Sequence, residues 1–295
     1  MSTICELKKN VLIPYAEQSS AMLELSAGCS WAKCSFCPQS AGVPLQAASP
    51  QMLANRLLEM VMRGEKCSNI FLAGENALAF KAQYLMDVLD MARSYLPDIE
   101  GFSIYGRAAD VRGKSDEQLV SLKKAGLKTI YIGIESGNPQ ILLNCSKGES
   151  PEQMKEQLDR LDSLGIGYGL SIILGLGGKE LRDQHIDDTA AFLSTVNPRS
   201  IQAMTLVLVK GTALEKDARE GRFVPASAVE ILEEEYLLLE KLHCSKPCQF
   251  ISNHVYNSPP LSAVLPEGKA GLCDALAELL HSARKDPLGF RLGSW

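Results

Sequence analysis

Gly28-Cys29-Ser30-Trp31-Ala32-Lys33-Cys34-Ser35-Phe36-Cys37-Pro38 follows directly on a short apolar run, Met22–Ala27, and puts three thiols within nine residues. An apolar run that ends in a reactive loop and leads into an amphipathic stretch is the sequence form of a strand, loop and helix in a parallel sheet. Active sites of such sheets gather at the C-terminal ends of the strands. The same alternation continues outward from this loop. Asn69–Ala73, Phe102–Gly106, Thr129–Ile134, Tyr168–Leu174 and Ile201–Leu208 read as further strands. Pro50–Arg63, Lys81–Tyr95, Asp116–Ala125, Pro151–Leu164 and Lys179–Val196 read as the helices between them. Ser115 before Asp116, and Ser150 before Pro151, are helix start signals, while Gly126 and Gly165 sit where helices stop.

Six such units with right-handed crossovers predict an α/β fold, a partial (βα)6 TIM-like barrel; a doubly wound open sheet is the competing topology. Beyond Gly221 the pattern changes to two longer helices, about Ser227–Leu242 and Glu267–Arg284, joined by a polar loop, Ser252–Pro266. The predicted organisation is therefore a barrel core over residues 1–225 and a C-terminal helical extension over 226–295 that covers the barrel mouth.

The 295 residues are 46% hydrophobic, enough to fill a sizeable core. Net charge is −5, and the basic residues are scattered rather than clustered, so the field that draws a protein to phosphate backbones is missing and nucleic acid is not the expected partner. No run approaches the roughly 20 apolar residues of a membrane span. The opening MSTICELKKNVLIPYAEQ also lacks a signal-peptide core, and the expected location is the cytoplasm. Nine cysteines, an odd number, argue against a disulfide framework and for metal or redox chemistry. Outside the triplet, Cys5, Cys67, Cys145, Cys244, Cys248 and Cys273 lie far apart and read as small buried hydrophobes rather than as an auxiliary metal site.

A [4Fe-4S] cluster takes four Cys ligands when closed. Three, as in Cys29, Cys34 and Cys37, leave one iron open to bind a small molecule. A zinc site is the alternative, because zinc also accepts cysteines two to four residues apart.

CSWAKCSFC resembles the cluster loop of the radical S-adenosylmethionine (SAM) superfamily, down to the aromatic Phe36 before the last Cys. It departs from the commonest C-x3-C-x2-C spacing by one residue. The resemblance implies a [4Fe-4S] cluster whose open iron is chelated by SAM, reductive cleavage of the S–C5′ bond, and a 5′-deoxyadenosyl radical that attacks a small organic substrate. It also implies a one-electron donor such as flavodoxin or ferredoxin, and Phe36 beside the adenine. A non-catalytic iron–sulfur or zinc module serving as redox sensor is the rival reading.

Downstream, Leu72-Ala73-Gly74-Glu75-Asn76 is similar to the superfamily's GGE-type segment, which implies that Gly74 and Glu75 hold the SAM amino group. Gly133-Ile134-Glu135-Ser136 with Lys147-Gly148 resembles the coproporphyrinogen-oxidase-like and Elongator-like branch. There Glu135 and Ser136 would meet the ribose diol or SAM amino group and Lys147 the SAM carboxylate, although Lys147 reads equally well as a solvated surface residue. The glycines of Leu174-Gly175-Leu176-Gly177-Gly178 are similar to the segment that flanks the adenine, and His185 just beyond reads as a helix-surface residue. Arg107 could bind an anionic substrate or the SAM carboxylate, or simply pair with Asp110. Ser252-Asn253-His254-Val255-Tyr256-Asn257 resembles an S-N-H-x-x-N stretch of the same branch, in which Asn253 and His254 would contact substrate.

Overall fold

The computed structural model describes residues 13–38, 43–253, 257 and 260–286. They form two compact units: the first holds residues 13–32, 43–132 and 160–168, the second 33–38, 133–159 and the described chain from 169 onward.

The first unit carries β1 (Ala21–Glu24), β2 (Ser26–Ala27), β3 (Gln46–Ala47), α1 (Pro50–Met62), β4 (Asn69–Ala73), α2 (Ala82–Tyr95), β5 (Gly101–Gly106), α3 (Ala108–Arg112), α4 (Asp116–Lys124) and most of β6 (Leu127–Glu135). Strands β1, β4, β5 and β6 pair in that order, all parallel, with Leu23 opposite Leu72, Leu72 opposite Ile104 and Ile104 opposite Ile130. These partners are buried, as in a parallel sheet covered on both faces. The expected single strand Met22–Ala27 breaks at Leu25. The Leu25 amide donates to Ala73 and its carbonyl accepts from Ala48, so β2 turns away to pair antiparallel with β3. The local start and stop signals act as read. Ser115 and Gln118 form a reciprocal capping box, and Gly126 ends α4 at φ +106°, a conformation that L side chains rarely adopt.

The second unit carries the end of β6 and α5 (Pro139–Asn144), most of α6 (Pro151–Leu164) and of β7 (Gly167–Leu174), then α7 (Arg182–Leu193), β8 (Ser200–Thr205), α8 (Ala213–Arg219), α9 (Ala228–Lys241), β9 (Cys248–Ser252), β10 (Leu261–Leu265) and α10 (Lys269–Lys285). Strands β7, β8 and β9 run parallel, and β10 returns antiparallel along β9.

Two expectations are corrected here. The segment Ser252–Pro266 is not simply a polar loop, because β10 forms within it and β9 ends at its first residue. Strand β10 is five residues long and partly exposed, between Pro260 and Pro266, so its weak alternation reads as loop until Phe250 of β9 is known to lie opposite Ala263. His185 is not on a helix surface but fully buried, its Nε2 3.2 Å from the Ile173 carbonyl oxygen and its Nδ1 3.3 Å from Thr189 Oγ1.

Candidate functional site

In the first unit, the chain leaves β2 through Gly28, whose φ of +77° and close neighbours exclude a side chain: a Cβ there would lie 2.4 Å from the Pro44 carbonyl oxygen. Cys29 follows, and its sulfur accepts a hydrogen bond from the Trp31 amide at 3.4 Å. Ala32 takes a left-handed φ of +49°, so the four-residue spacer between Cys29 and Cys34 turns at a strained residue. Loops from the two adjacent strands reach this segment. Asn76, just past β4, donates from Nδ2 to Ser30 Oγ at 2.6 Å. Arg107, just past β5, lays its guanidinium over the Trp31 ring, 4.7 Å from the centroid. The Asp110 carboxylate accepts from the Arg107 backbone N–H at 2.8 Å.

Gly74 and Glu75 lie on the turn that ends β4. A Cβ on Gly74 would sit 2.0 Å from Ser26 Oγ, so only glycine lets the turn pass. Beside it Ser26 Oγ, Glu75 Oε2 and Asn76 Oδ1 are buried and find no hydrogen-bond partner among the described residues. Buried polar atoms are ordinarily paired, and these three around one turn are open to a polar group from beyond the described residues.

In the second unit, Cys34, Ser35, Phe36 and Cys37 form a tight turn closed by a hydrogen bond from the Cys37 amide to the Cys34 carbonyl at 3.1 Å. The turn is pinned from both sides. The Ser35 amide donates to Cys145 at 2.9 Å, and the Ser35 carbonyl accepts from Leu214 at 2.9 Å. Phe36 packs against the buried cluster of Ile141, Cys145, Ile173, Leu176 and Leu214.

At the end of β6, Glu135 adopts φ +63° and is bound by Lys147 Nζ at 2.8 Å. Both side chains are about nine-tenths buried or more, so Lys147 is a buried partner rather than a solvated surface residue. Gly133 explains its place in the motif, since a Cβ there would lie 2.1 Å from Glu135 Oε1. Burial alone would lower the Lys147 pKa, but the negative charges of Glu135, the nearby Cys34 as thiolate and Glu149 together raise it, so the ammonium stays charged. Burial, with Glu135 and Cys34, pushes the Cys145 thiol up to about 12 and leaves it an inert neutral group. Ser136 is buried and its hydroxyl accepts from the Asn138 amide at 3.0 Å, which shapes the turn into α5.

Past β7, Gly175 has φ +81° and Gly178 φ +59°. A Cβ on Gly178 would lie 2.8 Å from the Phe223 ring, and Gly177 and Gly178 both line a cavity of about 340 Å³ floored by Ile141, Cys145 and Leu176. Asn253 is half-buried immediately after β9, whereas His254 lies outside the described residues. Ser252 and Asn257 of the same motif belong to a buried network: Asn257 Nδ2 donates to Ser252 Oγ, and Thr205 Oγ1 donates to Asn257 Oδ1. Sequence reasoning missed Glu234 and Glu235 of α9, both buried. In EILEEEYLLLEK they look like a solvated helix face, and no local signal separates them from Glu233.

The sequence pattern of the Radical SAM superfamily matches residues 23–193. An uncharacterised protein of Methanocaldococcus jannaschii is 26% identical over 216 residues, 68% of this chain and 65% of that protein. The 4'-phospho-dehydrooxetanocin synthase of Priestia megaterium is 28% identical over 172 residues, 52% of this chain and 23% of the synthase. The chain thus spans less than two thirds of either relative. Among solved structures, methylornithine synthase superposes with a TM-score of 0.56 at 15% identity, over 76% of this chain and 63% of that one. Coproporphyrinogen III oxidase from Escherichia coli also gives 0.56, at 16% identity, over 75% and 52%. At such identities these likenesses concern the fold, an α/β partial TIM-like barrel. Among the described residues no helix is long and apolar enough to cross a membrane, and no three His, Cys, Asp or Glu side chains converge as a site for a single metal ion.

Proposed function

Because the chain belongs to the radical SAM superfamily, we propose that it is an enzyme that binds a [4Fe-4S] cluster through Cys29, Cys34 and Cys37 and uses it to cleave SAM reductively in order to act on a small organic substrate. The observation that carries this reading is the donor set, three thiols in nine residues and one short of the four that close a cubane. A cluster held by Cys29, Cys34 and Cys37 would supply the one electron that reductive cleavage of the S–C5′ bond of SAM requires.

Several residues support the reading of a SAM site beside those thiols. Glu75 Oε2, buried with no donor among the described residues, is a ready acceptor for the ammonium of SAM, and Gly74 lets that group come close to the backbone. Lys147, held charged by Glu135, offers a cation to the carboxylate. Gly175 and Gly177 present bare backbone to the planar base, with Phe36 as its apolar neighbour. Arg107, its guanidinium over the Trp31 ring, and Asn253 and His254 are proposed to meet the substrate. A one-electron donor such as flavodoxin or ferredoxin completes the system.

The test is anaerobic reconstitution with iron and sulfide, followed by dithionite and SAM, with 5′-deoxyadenosine as the readout. Cys34→Ala should abolish both the cluster absorbance near ~400 nm and that product. Zinc instead of iron in the purified oxygen-protected protein, or a cluster that leaves SAM intact, would refute the reading.

A further inference from the structure

Helix α9 carries two carboxylates into the interior that neither cluster binding nor the SAM contacts above require. One of them, Glu234, is fully buried, and its Oε1 accepts the Gly175 amide at 2.7 Å. Its Oε2 has no partner among the described residues. Gly175 is the first residue past β7, where the strand ladder ends. On the same helix, three residues before Glu234, Ile231 Cδ1 lies 3.2 Å from where a Cβ on Gly175 would stand. One helix therefore holds the first residue of the glycine turn with a carboxylate and crowds, with a branched side chain, the space that a side chain there would need. An uncharged acceptor such as an amide could have satisfied that N–H without the desolvation cost of a carboxyl group, so the group is well matched to a task that uses its charge.

We propose that Glu234 is a positioning residue that holds the Gly175 amide so that the Gly175–Gly178 turn keeps the shape that receives the planar base of SAM. This inference rests on the reading of that turn as part of the SAM site and adds to it a control from a helix more than fifty residues away.

The groups around Glu234 are few. From α7, His185 Nε2 is 3.9 Å from Glu234 Oε1, and burial lowers its pKa to about 4, so it is neutral near pH 7. Arg182, also of α7, is committed to Glu233 at 2.6 Å, as is Arg284 of α10. Glu235 is the neighbour on α9 itself. Burial pushes the Glu234 carboxyl up to about 7, with the Gly175 amide and Arg182 pulling it down and Glu235 pushing it further up. The ionised form is the stronger acceptor for the Gly175 N–H, so the grip on the turn tightens as pH rises through about 7.

The test measures SAM affinity by calorimetry on the reconstituted holoprotein from about pH 6 to 8, for wild type, Glu234→Gln and Glu234→Ala, with iron content and thermal midpoint recorded for each. Wild type should bind SAM more tightly as pH rises. Glu234→Gln, which keeps an acceptor oxygen but not the charge, should bind roughly tenfold more weakly at the upper end and show a flat profile at unchanged iron content. Should Glu234→Ala fail to fold, the isosteric glutamine variant still decides the matter. A glutamine variant whose affinity and pH profile match wild type would overturn the proposal and leave the SAM reading standing. So would a glutamine variant that loses iron and thermal stability in step with affinity, since the role would then be structural. If wild type itself does not bind SAM, the SAM reading falls and this proposal with it.

Discussion

Glu75 and Glu135 both stand just at the end of a parallel strand, and both resemble residues that hold SAM, yet the protein treats them in opposite ways. Glu135 is satisfied: Lys147 Nζ is 2.8 Å from its Oε1, and both side chains are shut away from water. Glu75 is half-buried, and its Oε2 has no partner among the described residues. A carboxylate whose charge is already answered contributes to folding first and to ligand binding second. One left with an orphaned oxygen is costly to folding and regains that cost only when a donor arrives. The two positions should therefore respond differently when each is substituted in turn.

The largest effect expected is on folding, at Glu135. Glu135→Ala leaves the Lys147 ammonium buried without its anion, which should cost about 3–5 kcal/mol in urea unfolding. Replacing both partners, as Glu135→Met with Lys147→Met, should recover most of that loss, because an apolar pair of similar volume carries no uncompensated charge. If the single and double variants were equally unstable, the pair would not be what holds the end of β6. Gly133→Ala probes the same pair from the backbone. Its methyl would collide with Glu135 Oε1, and a loss of about 1–3 kcal/mol is expected for forcing the carboxylate aside.

The contrast sharpens at Glu75. Glu75→Gln removes a charge whose Oε2 has no hydrogen-bond partner among the described residues, so urea unfolding should stay within about 1 kcal/mol of wild type. SAM affinity of the reconstituted protein should nonetheless fall by roughly tenfold or more, the scale of one hydrogen bond to a charged group. A variant that unfolded more easily but bound SAM normally would reverse the comparison and make Glu135 the residue that meets the ammonium.

What was legible in the sequence follows the range of the interactions. Ser115, Gly126 and the Cys29–Cys37 loop could be read because each acts through neighbours a few residues away. Strands β1 and β4 to β8 were legible for the same reason, since an apolar run of five or six residues declares itself, whereas β9, also parallel, was not read. Lys147, His185 and Glu234 were not, because each is made buried by a partner that sequence proximity does not suggest. Lys147 is paired 12 residues upstream, His185 packs under the Ile173 carbonyl, and Glu234 reaches 59 residues back to Gly175. On a helical wheel His185 and Glu234 look like polar faces, while Lys147 lies in the loop between α5 and α6. Strand β10 was lost for a related reason, since five residues between prolines become a strand only through Phe250 and its neighbours on β9.

The smallest effect expected is also the one that tests whether these buried groups act as titrating centres. Burial pushes the Glu235 carboxyl up to about 7, with Ser252 pulling against it, while an unfolded glutamate titrates near about 4.3. Between those values the folded chain holds a proton that the unfolded chain has released, so this group makes stability fall as pH rises, by up to about 1.4 kcal/mol per pH unit. Glu234, also raised to about 7, acts in the same direction. His185 acts in the other: its folded pKa of about 4 lies below the unfolded value near about 6.5, so its contribution is lost as pH falls through that window. From about pH 5 to 6, two carboxyls therefore oppose one imidazole, and these three groups together should make wild type lose stability as pH rises. Glu235→Gln removes one carboxyl from the balance and should leave the slope of unfolding free energy against pH close to flat from these three groups, whereas His185→Asn should steepen it. Urea midpoints at a series of pH values read both slopes directly, and a Glu235→Gln curve parallel to wild type would mean that Glu235 does not titrate in the folded protein as its burial requires.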